Sequence, residues 1–270
     1  MLTSLIQLRS ARSAFSKKSL FRLCFLRVLH AVPAYFPSQG GIETLVRSIV
    51  RRLALEIDWE TSILVPSYSF AASSEESSLK PWVERVDGVR VHRVPLNSNP
   101  AALGLRETLQ LFSWCRQILD QFQPDLVHSH GITLLTSPLS ITTARLGRPL
   151  LWHLHGGLPE DCPAVLLQLL RETPHLLAPS RFVRGDIMRA AGRTSPIGVL
   201  HNGIDVGECA SCALGQSAER RDVVMVGRLE KEKGFDVGLS AVAPLLITHG
   251  AQLRILGTGP ELKRLRELAV

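Results

Sequence analysis

Two pairs of histidines are the residues of this sequence best suited to do chemistry. One residue separates His128 from His130, and one residue separates His153 from His155. Each pair closes a short apolar run typical of a buried strand, and residues two apart on a strand share one face. We therefore expect each pair to present two imidazoles at the carboxyl edge of a sheet, where open α/β sheets bind their ligands.

Four imidazoles at one edge are compatible with two kinds of site. They could hold a transition-metal ion, as in a metal-dependent hydrolase that uses His128, His130, His153 and His155. However, no Asp or Glu stands beside either pair at ligand spacing. We therefore favour hydrogen bonding to a polar ligand and expect no stoichiometric zinc or manganese, with the hydrolase kept as an alternative. A structural role stays open for the inner members, His128 and His153.

A pair of glycines, Gly40 and Gly41, lies between the first predicted strand and a strongly amphipathic helix, with Glu43 in the first turn of that helix. Glycines at such a position let the backbone approach a ligand, and the free N–H groups of a helix start favour phosphate or carboxylate. A plain tight turn fits the residues equally well, because the stretch is neither a G-x-G-x-x-G motif nor a Walker A loop.

Two basic residues, Arg228 and Lys233, follow another predicted strand, and Gly227 beside them leaves room for a ligand. A guanidinium and an ammonium at a strand end can hold a diphosphate and stabilise the charge that develops on a leaving phosphate. Acidic residues alternate with these bases, so the spacing alone favours a solvated charged turn.

Short apolar runs alternate with helical periods from Arg27 onward, which predicts an α/β protein with a doubly wound parallel sheet. The series extends to Asp205 and indicates one complete domain over 27–205. A small and polar stretch at 206–221 is typical of a linker. The two strands and two helices predicted over 222–270 are too few to cover both faces of a sheet, so we expect only the start of a second domain of this type.

The net charge of +7 is concentrated at the N-terminus. The first 27 residues hold six of the 31 basic residues and no acid, which leaves 25 basic against 24 acidic residues in the remainder. A nearly neutral body argues against a nucleic-acid partner. We expect residues 1–26 to form a disordered basic extension, with a transit peptide or an amphipathic membrane-surface anchor as alternatives.

The five cysteines follow no disulfide spacing. Cys24 and Cys115 lie in apolar runs and are expected to be buried thiols. Cys209 and Cys212 form a C-x-x-C pair without a second ligand pair, so a zinc or redox role is not expected. This usage fits a reducing cytoplasm.

Seven short motifs, taken in order, resemble the retaining glycosyltransferases of family 4, which have the GT-B fold. The resemblance extends from about Arg27 to the last residue and rests on the number, order and spacing of the motifs. They are SQGGIE, PDLVHSHG, HLHGG, APSRFVRGDI, LHNGID, VGRLEKEKGFD and ILGTGPELKRL. The resemblance implies two Rossmann-like domains that transfer a sugar from a nucleotide-diphosphate sugar to an acceptor hydroxyl with retention of configuration. It implies no metal cofactor, and the sequence contains no D-x-D motif.

The resemblance also implies a role for each matched residue. His155 would hydrogen-bond the donor sugar, and Arg228 with Lys233 would hold the donor diphosphate. The remaining matches, expected to line the donor and acceptor sites, are Gly40, Gly41, His130, Asn202, Gly203 and Gly227. The acceptor would be a glycan, a lipid or a small molecule, as in the synthesis of polysaccharide, lipopolysaccharide or glycolipid. The expected location is the cytoplasm, with peripheral contact at the inner face of the membrane through the basic extension.

One part of the family pattern is missing. After the GTGPELKRL stretch the family has further strands that contact the base and an acidic E-x7-E motif, and this sequence has neither. We therefore expect a chain truncated in its second domain. An inactive fragment, or a binding protein without catalysis, is the alternative function.

Overall fold

The computed structural model describes residues 26–38, 40–56, 59–69, 80–97, 104–158, 161–207 and 222–269. The chain divides into two compact units after Asp205. The predictions for the extension at 1–26 and for the linker at 206–221 fall almost entirely outside the described residues, as do those for Cys24, Cys209 and Cys212.

The first unit is built on an eight-stranded sheet. Its strands are β1 (Arg27–Ala31), β2 (Glu60–Ser69), β3 (Trp82–Val86), β4 (Val89–Asn97), β5 (Leu126–His130), β6 (Leu150–His153), β7 (His175–Ala178) and β8 (Gly198–Val199). They lie in the order β3-β4-β2-β1-β5-β6-β7-β8, and every neighbouring pair is parallel except β3 with β4. The predicted α/β class with a mainly parallel sheet is thus confirmed.

The antiparallel strand β3 was not predicted from the sequence. It pairs with β4 through a two-residue turn in which Asp87 and Gly88 both have positive φ values, 50° and 81°. A turn of this kind favours Asp-Gly because its twist matches that of the two strands it joins. The Asp-Gly step between two short apolar runs was the available signal for this hairpin.

Within the described residues of the first unit, five helices accompany the sheet. They are α1 (Gly41–Glu56), α2 (Leu105–Phe122), α3 (Thr136–Arg145), α4 (Ala164–Glu172) and α5 (Arg181–Ala191). Helix α5 shows how the sequence sets their ends: the Ser180 hydroxyl accepts a hydrogen bond from the Val183 N–H at 3.2 Å, and Gly192 ends the helix with φ of 60°. In the part of the chain that the structure describes, no helix combines the length and apolar character needed to cross a bilayer.

Helices cover both faces of the sheet, as strand β2 shows. Leu64 packs in a cluster with Leu119 and Phe122 of α2, whereas its neighbour Ile63 packs in another cluster with Val46 of α1. Successive residues of a strand point to opposite faces, so α1 and α2 lie on opposite sides. Cys115 is fully buried in the α2 cluster, as predicted, and burial raises the pKa of its thiol to about 12.

The second unit contains a two-stranded parallel sheet of β9 (Val223–Val226) and β10 (Leu253–Leu256) with helices α6 (Phe235–His249) and α7 (Leu262–Leu268). Its hydrophobic cluster of buried residues consists of Leu229, Phe235 and Leu265. On β9, the side chain of Val226 is 73% exposed. This unit therefore has a far smaller core than the first.

The Gly-Thr-Gly turn after β10 is a packing element. A Cβ at Gly257 would overlap the carbonyl oxygen of Gly227, and a Cβ at Gly259 would overlap the backbone of Leu229. The Leu229 N–H donates to the Thr258 carbonyl at 2.8 Å. The two glycines therefore let the loops after β9 and β10 pack backbone against backbone.

Candidate functional site

A cluster of five histidines, His30, His128, His130, His153 and His155, forms at the carboxyl ends of β1, β5 and β6. These strands are neighbours in the sheet, and their register pairs His30 with His128 and His130 with His153. His155 follows two residues after β6 ends. The structure thus brings the two predicted pairs together and adds His30, which sequence reasoning missed. Its signal was a histidine near the end of the first strand, but only the strand order makes it a neighbour of the others.

Three of these rings and one asparagine form a continuous hydrogen-bonded row. His30 Nδ1 lies 3.1 Å from His130 Nε2, and His130 Nδ1 lies 3.0 Å from His155 Nε2. The row ends at Asn202, whose Oδ1 lies 3.0 Å from His155 Nδ1. An amide oxygen only accepts, so His155 carries its proton on Nδ1 and offers its Nε2 lone pair to a neighbour.

The histidine cluster is mostly buried and contains ring nitrogens without a partner. His30, His130 and His153 are at most 2% exposed, and the other two rings are half-buried. Among the described residues, no hydrogen-bond partner reaches His30 Nε2, His128 Nε2 or either ring nitrogen of His153. Such nitrogens are costly in a folded protein and call for a ligand, a water or an ion.

Burial keeps the five rings neutral. It lowers the pKa of His30 and of His153 to about 4, against 6.5 for a solvated imidazole. The pKa values of His128 and His130 fall well below 6.5 for the same reason, with a further contribution from the neighbouring rings. The pKa of His155 is lowered by burial and partly restored by its bond to Asn202. Near pH 7 the histidine cluster therefore offers lone pairs and N–H donors, not positive charge.

Both ring nitrogens of His155 are engaged, one by His130 and the other by Asn202. A donor sugar that hydrogen-bonds His155, as the resemblance implies, would therefore have to replace one of these partners. Replacing His130 would leave the tautomer set by Asn202 unchanged, whereas replacing Asn202 would not.

Gly40 and Gly41 differ in the space around them. A Cβ at Gly40 would overlap the carboxylate of Glu43, whereas a Cβ at Gly41 would have no neighbour within 4 Å. A cavity of about 200 Å³ lies beside them, lined by Tyr35, Phe36, Ser38, Glu43, Thr44 and Arg47. The Arg47 guanidinium stands 5.6 Å from the centre of the Phe36 ring. Arg47 also forms an ion pair with Asp87 at 2.6 Å. The cavity thus offers a carboxylate and hydroxyls that suit a polyhydroxylated ligand, and a phosphate there would share Arg47 with Asp87.

Asn202 and Gly203 follow β8 and are exposed, and only Asn202 joins the histidine row. In the second unit, Gly227 follows β9 directly, and the basic pair comes after it. Arg228 is 64% exposed and lies 3.0 Å from Glu230, and Lys233 is 47% exposed and lies 3.1 Å from Glu232. Exposed ion pairs of this kind stabilise little, so an incoming diphosphate can displace the acids.

The sequence has recognisable relatives. Residues 39–208 match the family model described as Glycosyltransferase Family 4. A Xanthomonas campestris protein, GDP-mannose:cellobiosyl-diphosphopolyprenol alpha-mannosyltransferase, is 25% identical over 252 residues, covering 87% of this chain and 60% of the relative. A glycogen synthase of Mycobacterium tuberculosis is 30% identical over 154 residues, covering 52% of this chain and 37% of the relative. Two curated relatives match over 87% of this chain. The chain spans about 60% of the length of each of them.

Solved structures share the fold at low sequence identity. The catalytic domain of starch synthase IV from Arabidopsis thaliana, bound to ADP and acarbose, matches with a TM-score of 0.56 at 15% identity over 90% of this chain and 70% of that one. The Escherichia coli trehalose-6-phosphate protein bound with UDP-2-fluoro glucose matches with a TM-score of 0.59 at 12% identity over 90% of this chain and 67% of that one. At this identity the likeness concerns the fold alone.

Proposed function

The chain belongs to Glycosyltransferase Family 4, with the GT-B fold, and we propose that it transfers a sugar from a nucleotide-diphosphate sugar to an acceptor hydroxyl with retention of configuration. The observation that carries this proposal is the pairing of His155 with Asn202. Both residues match family motifs, lie 47 positions apart and meet through a 3.0 Å hydrogen bond at the ligand-binding edge of the sheet.

His155 is suited to bind a sugar hydroxyl. Its ring is neutral near pH 7, and the bond to Asn202 directs the Nε2 lone pair away from the loop after β8. A sugar hydroxyl that takes the place of His130 at Nε2 would exchange one neutral hydrogen bond for another. The exchange leaves the buried His130 Nδ1–H in need of a new acceptor, so the sugar must offer an oxygen there as well as a hydroxyl to His155, which favours selection of one sugar over another.

Arg228 and Lys233 supply the positive charge that the histidine cluster lacks. On this proposal they bind the donor diphosphate, and no metal ion is needed there. The acceptor oxygen attacks the anomeric carbon on the face from which the diphosphate departs, through an oxocarbenium-like state. The bond between the anomeric carbon and the phosphate oxygen breaks, and the acceptor proton passes to the departing diphosphate. Arg228 and Lys233 stabilise the charge that grows on this leaving group.

The acceptor side of the proposal rests on the cavity beside Gly40 and Gly41. Its carboxylate from Glu43 and its guanidinium from Arg47 suit hydroxyls and a phosphate in one ligand. The Xanthomonas relative is named for an acceptor of that chemistry, a disaccharide on a diphosphopolyprenol. We therefore place the activity in polysaccharide or glycolipid synthesis in the cytoplasm, with a lipid-linked acceptor presented at the inner face of the membrane.

The test uses the whole chain with radiolabelled GDP-mannose, UDP-glucose and ADP-glucose, and with cellobiosyl diphosphopolyprenol in detergent as the acceptor. We expect one donor to label the lipid product, an α-linkage from the α-configured donor by NMR coupling, and loss of labelling in His155→Ala. A β-linkage would overturn retention. Absence of both labelling and donor binding with all three donors would favour a binding protein without catalysis.

A further inference from the structure

The histidine cluster has more nitrogen ligands than a hydrogen-bonded sugar site requires. One ring nitrogen from each of His130, His153 and His155 lies within 4.8 Å of the other two. His153 is 2% exposed, and in the described part of the chain neither of its ring nitrogens has a hydrogen-bond partner. The Leu200 backbone lies near enough to raise the pKa of His153 slightly, although no hydrogen bond of good geometry joins them. A buried ring without a partner is a position at which a ligand, a water or an ion is expected.

The donor set selects the class of that ligand. Three neutral imidazoles without a carboxylate are poor ligands for magnesium or calcium, which prefer oxygen. They suit zinc, copper, nickel or cobalt, and three histidines with a fourth position open are a common arrangement for zinc. From this chemistry and geometry, we propose that His130, His153 and His155 bind one divalent transition-metal ion of the zinc type.

The spacing of two of the ligands fits an ion between them. His130 Nδ1 and His155 Nε2 are 3.0 Å apart. Two nitrogens that each lie about 2.0–2.1 Å from one ion reach this separation at an angle of about 95°, and a tetrahedral angle would need a movement of only about 0.4 Å. Without an ion, the same distance is that of an N–H···N hydrogen bond. For this pair the site therefore requires a change of tautomer and a small displacement, while a nitrogen of His153 has to approach from a distance of at most 4.8 Å.

Surrounding groups orient two of the three ligands. When His155 binds through Nε2, its Nδ1–H donates to Asn202 Oδ1 at 3.0 Å. When His130 binds through Nδ1, its Nε2–H donates to His30 Nδ1 at 3.1 Å. Ligating histidines usually donate their second N–H to such an acceptor, which fixes the tautomer and strengthens the ligand. The half-buried ring of His155 also gives the ion a path of entry.

A second set of three, His30, His128 and His130, also has ligand atoms within 4.8 Å of one another. It shares His130 with the first set, and a neutral imidazole has only one lone pair to give. The two sets therefore exclude each other. The set with His155 is preferred because Asn202 orients its half-buried member and because both ring nitrogens of His153 lack a partner among the described residues.

This inference departs from the expectation that no zinc binds. That expectation came from two histidine pairs without an acidic neighbour, whereas the structure adds His30 as a partner for His130 and leaves His153 without one. The ion would use the His155 Nε2 lone pair that the proposed function gives to a sugar hydroxyl, so bound zinc would compete with the donor sugar and is not a cofactor of sugar transfer. Its binding does not depend on the proposed function.

The experiment is a titration of the whole metal-free chain with Zn²⁺ against a chromophoric chelator, repeated with Co²⁺ to record its visible absorption. We expect one ion to bind per chain, and we expect the visible spectrum of the cobalt form to be typical of nitrogen ligands. His153→Gln should weaken zinc binding by at least about 100-fold, beyond the 10–100-fold typical of loss of a group that only orients a ligand.

The matched control is His92→Gln. His92 is 3% exposed, and its Nε2 also has no partner among the described residues, but it lies on β4 outside the histidine cluster. Zinc affinity should be unchanged in this variant. If circular dichroism shows that the His153→Gln variant does not fold, zinc binding is measured instead in His155→Gln, which lies at the half-buried loop position. Binding of no ion by the parent chain, or equal losses in the cluster variants and in His92→Gln, would overturn the proposal.

Discussion

Asn202 Oδ1 accepts a hydrogen bond from His155 Nδ1 at 3.0 Å, although His155 follows β6 and Asn202 follows β8. Strand β7 lies between these two strands, so the pair reaches across its carboxyl end. This single contact fixes which nitrogen of His155 carries the proton, and with it the direction in which the lone pair points. The chemistry proposed for the first unit therefore depends on a loop distant in sequence.

We predict that Asn202→Ala lowers sugar transfer by about fivefold, because a neutral hydrogen bond contributes on the order of 1 kcal/mol. The free energy of unfolding should stay within about 0.5 kcal/mol of the parent, because Asn202 is exposed. Steady-state transfer assays and urea unfolding measure the two effects. Asn202→Asp should restore most of the activity, since a carboxylate accepts the same N–H. An Asp variant as impaired as the Ala variant would argue against a role in fixing the tautomer.

We predict that Arg228→Ala weakens binding of the nucleotide-sugar donor by about tenfold or more, since a charge-assisted bond to phosphate contributes about 1.5–3 kcal/mol. Arg254→Ala is the matched control: Arg254 is 53% exposed, lies in the same unit and also pairs with one acid, Asp222, at 2.9 Å. Lys18→Ala tests the basic N-terminal stretch. Donor titrations by calorimetry compare the three. Equal losses in all of them would mean that net charge, not the residues after β9, holds the donor.

We predict that Gly41→Ala lowers transfer by at least about tenfold while leaving the fold intact. A Cβ at this position has open space of 4 Å around it, and alanine is the better helix former at the start of α1. The free energy of unfolding, measured by thermal unfolding, should therefore be unchanged or higher by up to about 1 kcal/mol. No atom of the described residues lies within 4 Å of the added methyl group. A loss of transfer would therefore indicate that the methyl group obstructs a ligand that approaches the backbone at this position. Full activity in this variant would make the glycine pair a plain turn.

The strand and helix alternation was predictable because each element carries its own periodicity, and so was the meeting of His130 with His155 at one sheet edge. What the sequence does not encode locally is which strands are neighbours. His30 joined the histidine cluster only because β1 lies beside β5. Strand β3 was not predicted because its five residues are too short for a clear period, although Asp87-Gly88 marked the hairpin.

We predict that Gly257→Ala destabilises the second unit by about 1–3 kcal/mol, as overpacking of a tight contact does. The added methyl would overlap the backbone carbonyl of Gly227, which cannot move without disturbing the end of β9. Hydrogen exchange of the Gly227 amide, which donates to the Leu256 carbonyl at 3.1 Å, should accelerate. Gly238→Ala is the control, because its methyl would meet the flexible side chain of Met225. Equal acceleration in both variants would contradict this account.

The last prediction concerns acid stability and His92. This ring is 3% exposed on β4, and burial, with a smaller effect of Arg90, lowers its pKa to about 4. In the unfolded chain the imidazole has its ordinary pKa of about 6.5. Above pH 6.5 the ring is neutral in both states and adds no pH dependence. Between pH 6.5 and pH 4 only the unfolded state takes up the proton, so the free energy of unfolding falls as the pH falls, by up to about 1.4 kcal/mol per pH unit.

His92→Leu removes this proton uptake. Its free energy of unfolding at pH 7.5 should be close to that of the parent, because an orphaned buried nitrogen is replaced by an apolar group of similar size. At pH 5.0 the variant should be more stable than the parent by about 2 kcal/mol, which urea unfolding at the two pH values measures. If His92→Leu loses as much stability between pH 7.5 and pH 5.0 as the parent does, the folded ring must already be protonated at pH 5.0.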